Sequence, residues 1–298
     1  MTAPVVLVVN PAAGRGRTLL RLPRIRALAD GLGLEYEVVQ TARPGDATDL
    51  ARRASEGGAR VVAAVGGDGT VSEAAAGLVH SRTALAIVPT GTGNDFARAV
   101  GVFGRIPLAV RTLAEGRPVT IDVGRAGHIY FVNTLGVGFG GEVTHENQRV
   151  KRVRGLLSYL LTVLRLVPTY QNPTFHLQGR DWEFRGKGVL VEVGNAKFAG
   201  GGFKLCPSAD LQDGLLDITF VGDYGMARRL PALSMVLMRQ VERLEECRFF
   251  RSDLVRVAVS RPTYIHADGN LHHVREPFTV EILPAALRVL FPPGFPRK

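Results

Sequence analysis

Arg60-Val-Val-Ala-Ala-Val65 runs without a spacer into Gly66-Gly67-Asp68-Gly69-Thr70. The unbroken apolar run fits a strand buried on both faces, the kind found inside parallel sheets. Residues 71–80 then read as a helix. A glycine-rich passage from strand end to helix start leaves backbone N–H groups and the positive helix end facing outward, which suits a phosphate. Glycine removes the side chain that would keep a ligand off the backbone. Asp68 would repel a bare phosphate, so its presence implies a divalent ion shared with a nucleotide, or an orienting role. A tight turn without a ligand is the plainer reading of a glycine pair taken alone.

The same logic recurs on both sides of this stretch. Ala84–Val88 is another apolar strand, and Pro89-Thr90-Gly91-Thr92-Gly93-Asn94-Asp95 again leads into helical segments at 94–100 and 105–115. Asn94 or Asp95 also suits a helix N-cap, a role compatible with ligand contact. Upstream, Val5–Val9 reads as the first strand, ended by Asn10-Pro11-Ala12-Ala13-Gly14. A helix follows to about Leu32, then the strand Tyr36–Gln40 ending at Thr41, and a helix over 46–57. Alternating strands and helices predict an α/β domain with a parallel, doubly wound sheet. Its small polar loops would share the carboxyl edge, where such sheets bind ligands.

After Asp122 the pattern changes. Strands are expected at Tyr130–Thr134, around Phe175, and at Lys187–Val193, Leu216–Val221, Leu254–Ser260, Tyr264–Ala267 and Phe278–Leu283, with helices at about 153–167 and 226–244. This predicts a C-terminal antiparallel β-sandwich. The expected domains are 1–124, with a tail at 285–298 packing back on it, and 125–284.

Composition narrows the class. Hydrophobic residues at 46% and charged residues at 21% exclude a disordered or fibrous chain. The 35 glycines are about 12% of the chain against a usual ~7%, which places them at turns and close approaches. A formal charge of +10 favours anionic partners. Nucleic acid is not expected, because the basic residues are dispersed, aromatics are 7%, and no reading module is visible. Cys206 and Cys247 read as buried thiols of a reducing compartment. The N-terminus lacks the basic region of a secretory signal, and no window is long and apolar enough for a span. His266, His272 and His273 read as strand and turn residues, their spacing being poor for zinc.

Asn10-Pro-x-x-Gly14, G-G-D-G-T at 66–70 and P-x-G-T-G-N-D-F-A-R at 89–98 resemble the diacylglycerol kinase catalytic family, which includes bacterial lipid kinases, sphingosine kinases and ceramide kinases. Asn133-x-x-Gly-x-Gly-Phe-Gly140, Gly194-Asn195-x5-Gly-Gly-Gly202, Pro207-x5-Asp213-Gly214-x-Leu216-Asp217 and Asp268-Gly269 extend the resemblance over essentially the whole chain. G-G-D-G-T alone also resembles NAD kinases and phosphofructokinases; the 89–98 segment is the selective one.

The resemblance implies a nucleotide domain and a β-sandwich with the active site between them. It implies an ATP- and Mg2+-dependent lipid kinase with diacylglycerol as the default acceptor. By resemblance ATP contacts Asn10, Thr41, Gly66, Gly67, Asp68, Gly69, Thr70, Thr92 and Asn94. Asp68 and Asp95 belong to the catalytic acids, and Asp95, Asp122 and Asp213 match positions that organise magnesium and water. A separate structural magnesium site falls on Asp210, Asp213 and Leu215, which also suit an ordinary solvated turn.

The departure lies at Asp268-Gly269-Asn270, where the family usually has Asp-Gly-Glu. A hydroxyl acceptor loses a proton, and Asn270 cannot take it, which leaves Asp268 as the local candidate base. Three alternatives follow: a member that binds nucleotide or lipid without turnover, a kinase for another lipid or small alcohol, or an NAD kinase. Arg149, Lys151, Arg152 and Arg154 precede the apolar stretch 156–167, a pattern suited to an anionic membrane. A lipid kinase must meet its substrate there, so the expected setting is cytoplasmic and peripheral to a membrane. A homodimer stays open.

Overall fold

The structure, a computed structural model, describes residues 5–149, 156–272 and 277–296, without side chains at 148, 149, 156–160, 226, 227 and 230. The chain divides into two compact units, residues 1–123 with 284–298 and residues 124–283.

The first unit contains β1 (Val5–Val9), a 3-10 turn (Ala13–Gly16), α1 (Arg17–Gly31), β2 (Tyr36–Gln40), α2 (Asp46–Glu56), β3 (Val61–Gly66), α3 (Asp68–Leu78), β4 (Ala84–Pro89), α4 (Asp95–Ala99), α5 (Ile106–Glu115) and most of β5 (Arg117–Ala126). The strand order β2–β1–β3–β4 is parallel throughout, and Val289 pairs in parallel with Leu85 beyond β4. Every residue of β1, β3 and β4 is buried, as central strands covered on both faces require. The order reverses between β1 and β3, and the loops leaving those strands flank a topological switch point. Sequence periodicity started a helix at residue 71, whereas α3 starts at Asp68. Most of the G-G-D-G-T segment is therefore the first helical turn, its glycine content having masked the helix.

The second unit contains β6 (Ile129–Phe131), β7 (Thr134–Gly138), α6 (Phe139–Arg149), α7 (Leu156–Leu166), β8 (Thr174–Gln178), β9 (Glu183–Gly194), β10 (Leu216–Gly222), α8 (Met226–Leu237), a 3-10 turn (Val241–Arg243), β11 (Cys247–Ser252), β12 (Leu254–Val259), β13 (Ile265–Ala267), β14 (Asn270–His272) and the start of β15 (Phe278–Phe291). β9 organises it. Its first half pairs with β8, and its second half pairs with both β7 and β10, all antiparallel. One long strand thereby serves both layers of a β-sandwich, and Phe131, Phe175, Val191, Ile218 and Val257 fill the core. Strands β5 and β11 and helix α6 were not legible in the sequence. The helix expected over 226–244 is α8 followed by a 3-10 turn. Lys151, Arg152, Arg154, His273 and the side chain of Arg149 lie outside the described residues. Among the described residues no helix is long and apolar enough to cross a membrane.

Asp122, expected near magnesium, lies in β5 at 4% exposure and accepts a 2.7 Å hydrogen bond from the Ala285 N–H. Ala285 has a left-handed φ of 50°, and this carboxylate stabilises the bend there. Asp122→Ala should lower the urea midpoint by an amount corresponding to roughly 1–3 kcal/mol, the scale of a hydrogen bond to a charged group. The loss should be the same without nucleotide or magnesium.

Candidate functional site

In the first unit the residues leaving β1, β3 and β4 tie the carboxyl edge together. Asn10 accepts from the N–H groups of Ala12 and Ala13 at 3.0 and 3.2 Å, and its amide donates to Thr70 Oγ1 at 3.0 Å. The Thr41 N–H donates to Val9 O at 3.0 Å, which places Thr41 on the same edge. The Asn94 amide donates to Gly91 O at 3.0 Å, and Thr92 is exposed. A Cβ on Gly91 would stand 2.4 Å from the Gly67 Cα, a contact real structures do not tolerate. The two loops therefore meet backbone to backbone, with no side chain between them. The first-turn N–H groups of α3 have no acceptor within their own helix. Such a cradle fits the phosphates of a nucleotide.

Asp68 connects the loops. Its Oδ1 accepts from the N–H groups of Asp95 and Phe96 at 2.6 and 3.3 Å, so it caps α4 from another segment. Asn94, the residue before α4, has φ 52° and makes no side-chain cap. Burial pushes the Asp68 carboxyl up, and the amides of Phe96, Asp95 and Asn94 oppose that shift. Asp95 is buried, with Arg98 Nε 3.7 Å from its Oδ1. Two neighbouring carboxylates beside a phosphate cradle are the donor set magnesium uses, since it keeps several waters and shares phosphate oxygens.

The second proposed magnesium position is differently engaged. Asp210 accepts from the Gln212 N–H at 3.2 Å, and Asp213 accepts from the Leu215 N–H at 3.0 Å. The other Asp213 oxygen pairs with Arg251, whose Nε also stands 3.4 Å from Asp217. The guanidinium already engages one oxygen of Asp213, so a cation using that oxygen must compete with it. Among the described residues no three His, Cys, Asp or Glu side chains are grouped to hold a metal.

Asp268 is occupied by backbone. It is buried, with φ 48°. Its oxygens accept from Val132 N at 2.8 Å, Asn133 N at 2.9 Å and Thr134 N at 3.0 Å. Asn195 adds a 2.9 Å bond from its amide to Val132 O. The motif residues Asn195 and Asp268 thus fix the turn between β6 and β7. A carboxylate holding three amide donors is a poor proton acceptor, because those bonds favour its charged form. Asn270 pairs with Ala267 across the β13–β14 hairpin.

Sequence reasoning missed the cavity of this unit. About 120 Å³ opens over β9 between α7 and α8, lined chiefly by apolar side chains such as Phe139, Val163, Leu190, Tyr224 and Leu233. Two charged-type residues of sheet strands also line it, Glu192 and His266. Glu192 is 1% exposed and His266 7%, with His266 Nε2 3.7 Å from Glu192 Oε2. Burial raises the Glu192 carboxyl to about 7 and lowers the imidazole to about 4. The signal was present, since Glu192 is the lone carboxylate in the apolar run 188–194. His266 was expected on a strand, as β13 shows, but its reading as a plain strand residue passed over its place at a cavity.

The chain belongs to the diacylglycerol kinase catalytic family. Residues 4–126 match the diacylglycerol kinase catalytic domain, and residues 133–291 match the YegS C-terminal NAD kinase beta sandwich-like domain. A Klebsiella pneumoniae protein named "Probable lipid kinase YegS-like" is 32% identical over 300 residues, covering 99% of this chain and 98% of its own. The Escherichia coli "Probable lipid kinase YegS" is 32% identical over 274 residues, 89% of each chain. The crystal structure of a Bacillus anthracis diacylglycerol kinase shares the fold, with a TM-score of 0.72 at 22% identity over 98% of this chain and 97% of that one. A second crystal structure from that organism gives 0.78 at 25% identity over 98% of both. Family membership implies phosphotransfer of the lipid-kinase type with use of nucleotide and Mg2+.

The buried pair makes a signed prediction. Glu192 is easier to ionise unfolded than folded, so its burden is absent below pH 4.5 and grows until about 7. Relative to wild type, Glu192→Gln should gain roughly 3 kcal/mol between those limits, measured as urea midpoints against pH. His266 behaves oppositely, because its folded form resists protonation. His266→Gln should gain on wild type as pH falls from 6.5 to about 4.

Proposed function

We propose that this chain transfers the γ-phosphoryl group of ATP to a lipid hydroxyl, with diacylglycerol as the default acceptor. The observation that carries the lipid half is the apolar cavity in the second unit. The glycine cradle at 66–69 and 91–93 supports the nucleotide half. In this reading Asn10, Thr41, Gly66, Gly67, Gly69, Thr70, Thr92 and Asn94 surround the nucleotide, while Asp68 and Asp95 hold magnesium. Bound magnesium would offset the charge of the phosphates. Asp68 has a second task, holding α4 against the cradle so that its amides stay in place. Asp210, Asp213 and Leu215 remain a structural cation site, where a cation using the paired Asp213 oxygen competes with Arg251. Asp122 acts through its bond to Ala285 in β15.

Asp268 becomes a positioning residue for the 132–134 turn. Phosphoryl transfer through a loose transition state asks little of a base, so Asn270 is compatible with turnover. The second reading, binding without turnover, is favoured by one observation: both local candidates for proton acceptance are occupied or neutral. We place the enzyme on the cytoplasmic face of an anionic membrane. Leu161 and Leu164 on α7 and Leu237 and Met238 at the end of α8 are exposed, on helices that line the cavity. Arg165 and Arg239 are exposed beside them, and the net charge of +10 acts in the same direction.

Labelled ATP with Mg2+ and diacylglycerol in anionic vesicles should give labelled phosphatidic acid. Asp68→Asn should lose roughly hundredfold or more, the scale of removing one charge-stabilising group. Label in no lipid of a total extract would sink the kinase reading. In that case Asn270→Glu should create turnover if the chain is a binding protein.

A further inference from the structure

The Glu192–His266 pair is unusual for the inside of a sandwich. Both side chains lie at the cavity wall, and their 3.7 Å separation is too long for a hydrogen bond. Glu192 Oε1 and His266 Nδ1 find no hydrogen-bond partner among the described residues. Buried polar atoms left this way are costly unless something else satisfies them. The backbone makes room for the pair. A Cβ on Gly136 would stand 2.2 Å from His266 Nε2 and 2.5 Å from Glu192 Oε2, and one on Gly140 would stand 2.9 Å from the same imidazole nitrogen. Any side chain at Gly136 would displace both groups.

A third charged residue of the lining, Arg229, is already engaged. Arg229 on α8 donates to Val167 O and Tyr170 O at 2.8 and 3.0 Å, and to Tyr224 O at 3.1 Å. Its donors tie α8 to the segment after α7, so the guanidinium is not the anchor for a ligand's polar end. Glu192 and His266 are the titratable side chains of the lining that keep an unpartnered atom on the sheet strands.

We propose that Glu192 and His266 form a hydroxyl-recognition site inside the cavity, and that its ligand is a neutral long-chain lipid alcohol. A carboxylate accepts a hydrogen bond, and a neutral imidazole offers one donor and one acceptor. A hydroxyl can donate to Glu192 and still accept from His266. An ester or ether lacks the proton to donate. A carboxylate or phosphate headgroup is repelled by Glu192, and an ammonium would have to shed its water among apolar walls. The acyl chain lies along Val163, Leu190 and Leu233. The inference rests on the proposed function only where it identifies this alcohol as the phosphoryl acceptor.

The test is calorimetric titration of the full chain without nucleotide at pH 8, using oleyl alcohol, methyl oleate, oleate and oleylamine delivered from cyclodextrin. Wild type should bind oleyl alcohol about tenfold or more tightly than methyl oleate, the scale of one buried unpaired polar group. In Glu192→Gln the amide can donate to an ester, so the preference should fall to about onefold. His266→Gln should weaken alcohol binding, and it carries the comparison if Glu192→Gln does not fold. Val163→Trp, which fills the cavity, should remove binding of every probe.

Equal binding of alcohol and ester by wild type, an unchanged ratio in the variants, tighter binding of oleylamine, or binding of no probe would each overturn the proposal. Asp68→Asn should bind oleyl alcohol as wild type does while losing phosphoryl transfer. Alcohol binding with no transfer to any lipid would therefore overturn the kinase reading and leave this site standing.

Discussion

A buried N–H with no acceptor costs about 1–3 kcal/mol, and this chain repeatedly meets that demand with an aspartate carboxylate from a distant segment. Asp68 accepts from the N–H groups of Asp95 and Phe96, and Asp268 accepts from those of residues 132–134. Asp122 does the same for Ala285. The three places differ, being the start of α4, the turn between β6 and β7, and a left-handed residue within β15, yet in each the donors lie outside a regular ladder or helix bond. Two of the motif loops are held in place by these bonds, so acids expected to be catalytic also carry structure. Removing Asp68 would disturb both the charge of the cradle and the position of its second wall.

In the proposed reading the two units address opposite halves of one chemistry. The first offers backbone, glycine and carboxylate, which suit an anion accompanied by a hard cation. The second offers a sandwich with a cavity lined chiefly by apolar side chains, with Glu192 and His266 on its sheet wall. Nothing about the apolar lining is chemically selective, since any chain of suitable girth satisfies it. In the proposed site selectivity comes from Glu192 and His266, the two sheet residues whose Oε1 and Nδ1 have no hydrogen-bond partner among the described residues. Gly136 is the residue that lets them exist there, because its missing side chain is the space they occupy.

Legibility followed sequence locality. The parallel sheet was readable because β1, β3 and β4 are short, continuous apolar runs punctuated by glycine, and their burial confirms that pattern. The glycine-rich loops were readable because they lie immediately after those strands. The sandwich was only half readable. β11 carries arginines at exposed positions, and α6 starts within the glycine-rich segment 138–141, so neither shows a clean period. Asp268 shows the limit most clearly, since position in a motif suggested a base and three amides gave it another occupation.

The sequence alone determined the order of elements in the first unit, the glycine loops, the basic charge and the family, because each depends on residues adjacent in the chain. Tertiary structure decided what the carboxylates do. Hydrogen bonds between Asp68 and Asp95, separated by 27 positions, and between Asp268 and Asn133, separated by 135, leave no periodic trace. It also decided that Glu192 and His266 face one another at a cavity. Their chemistry arises from burial and from a missing glycine side chain, and both are properties of packing.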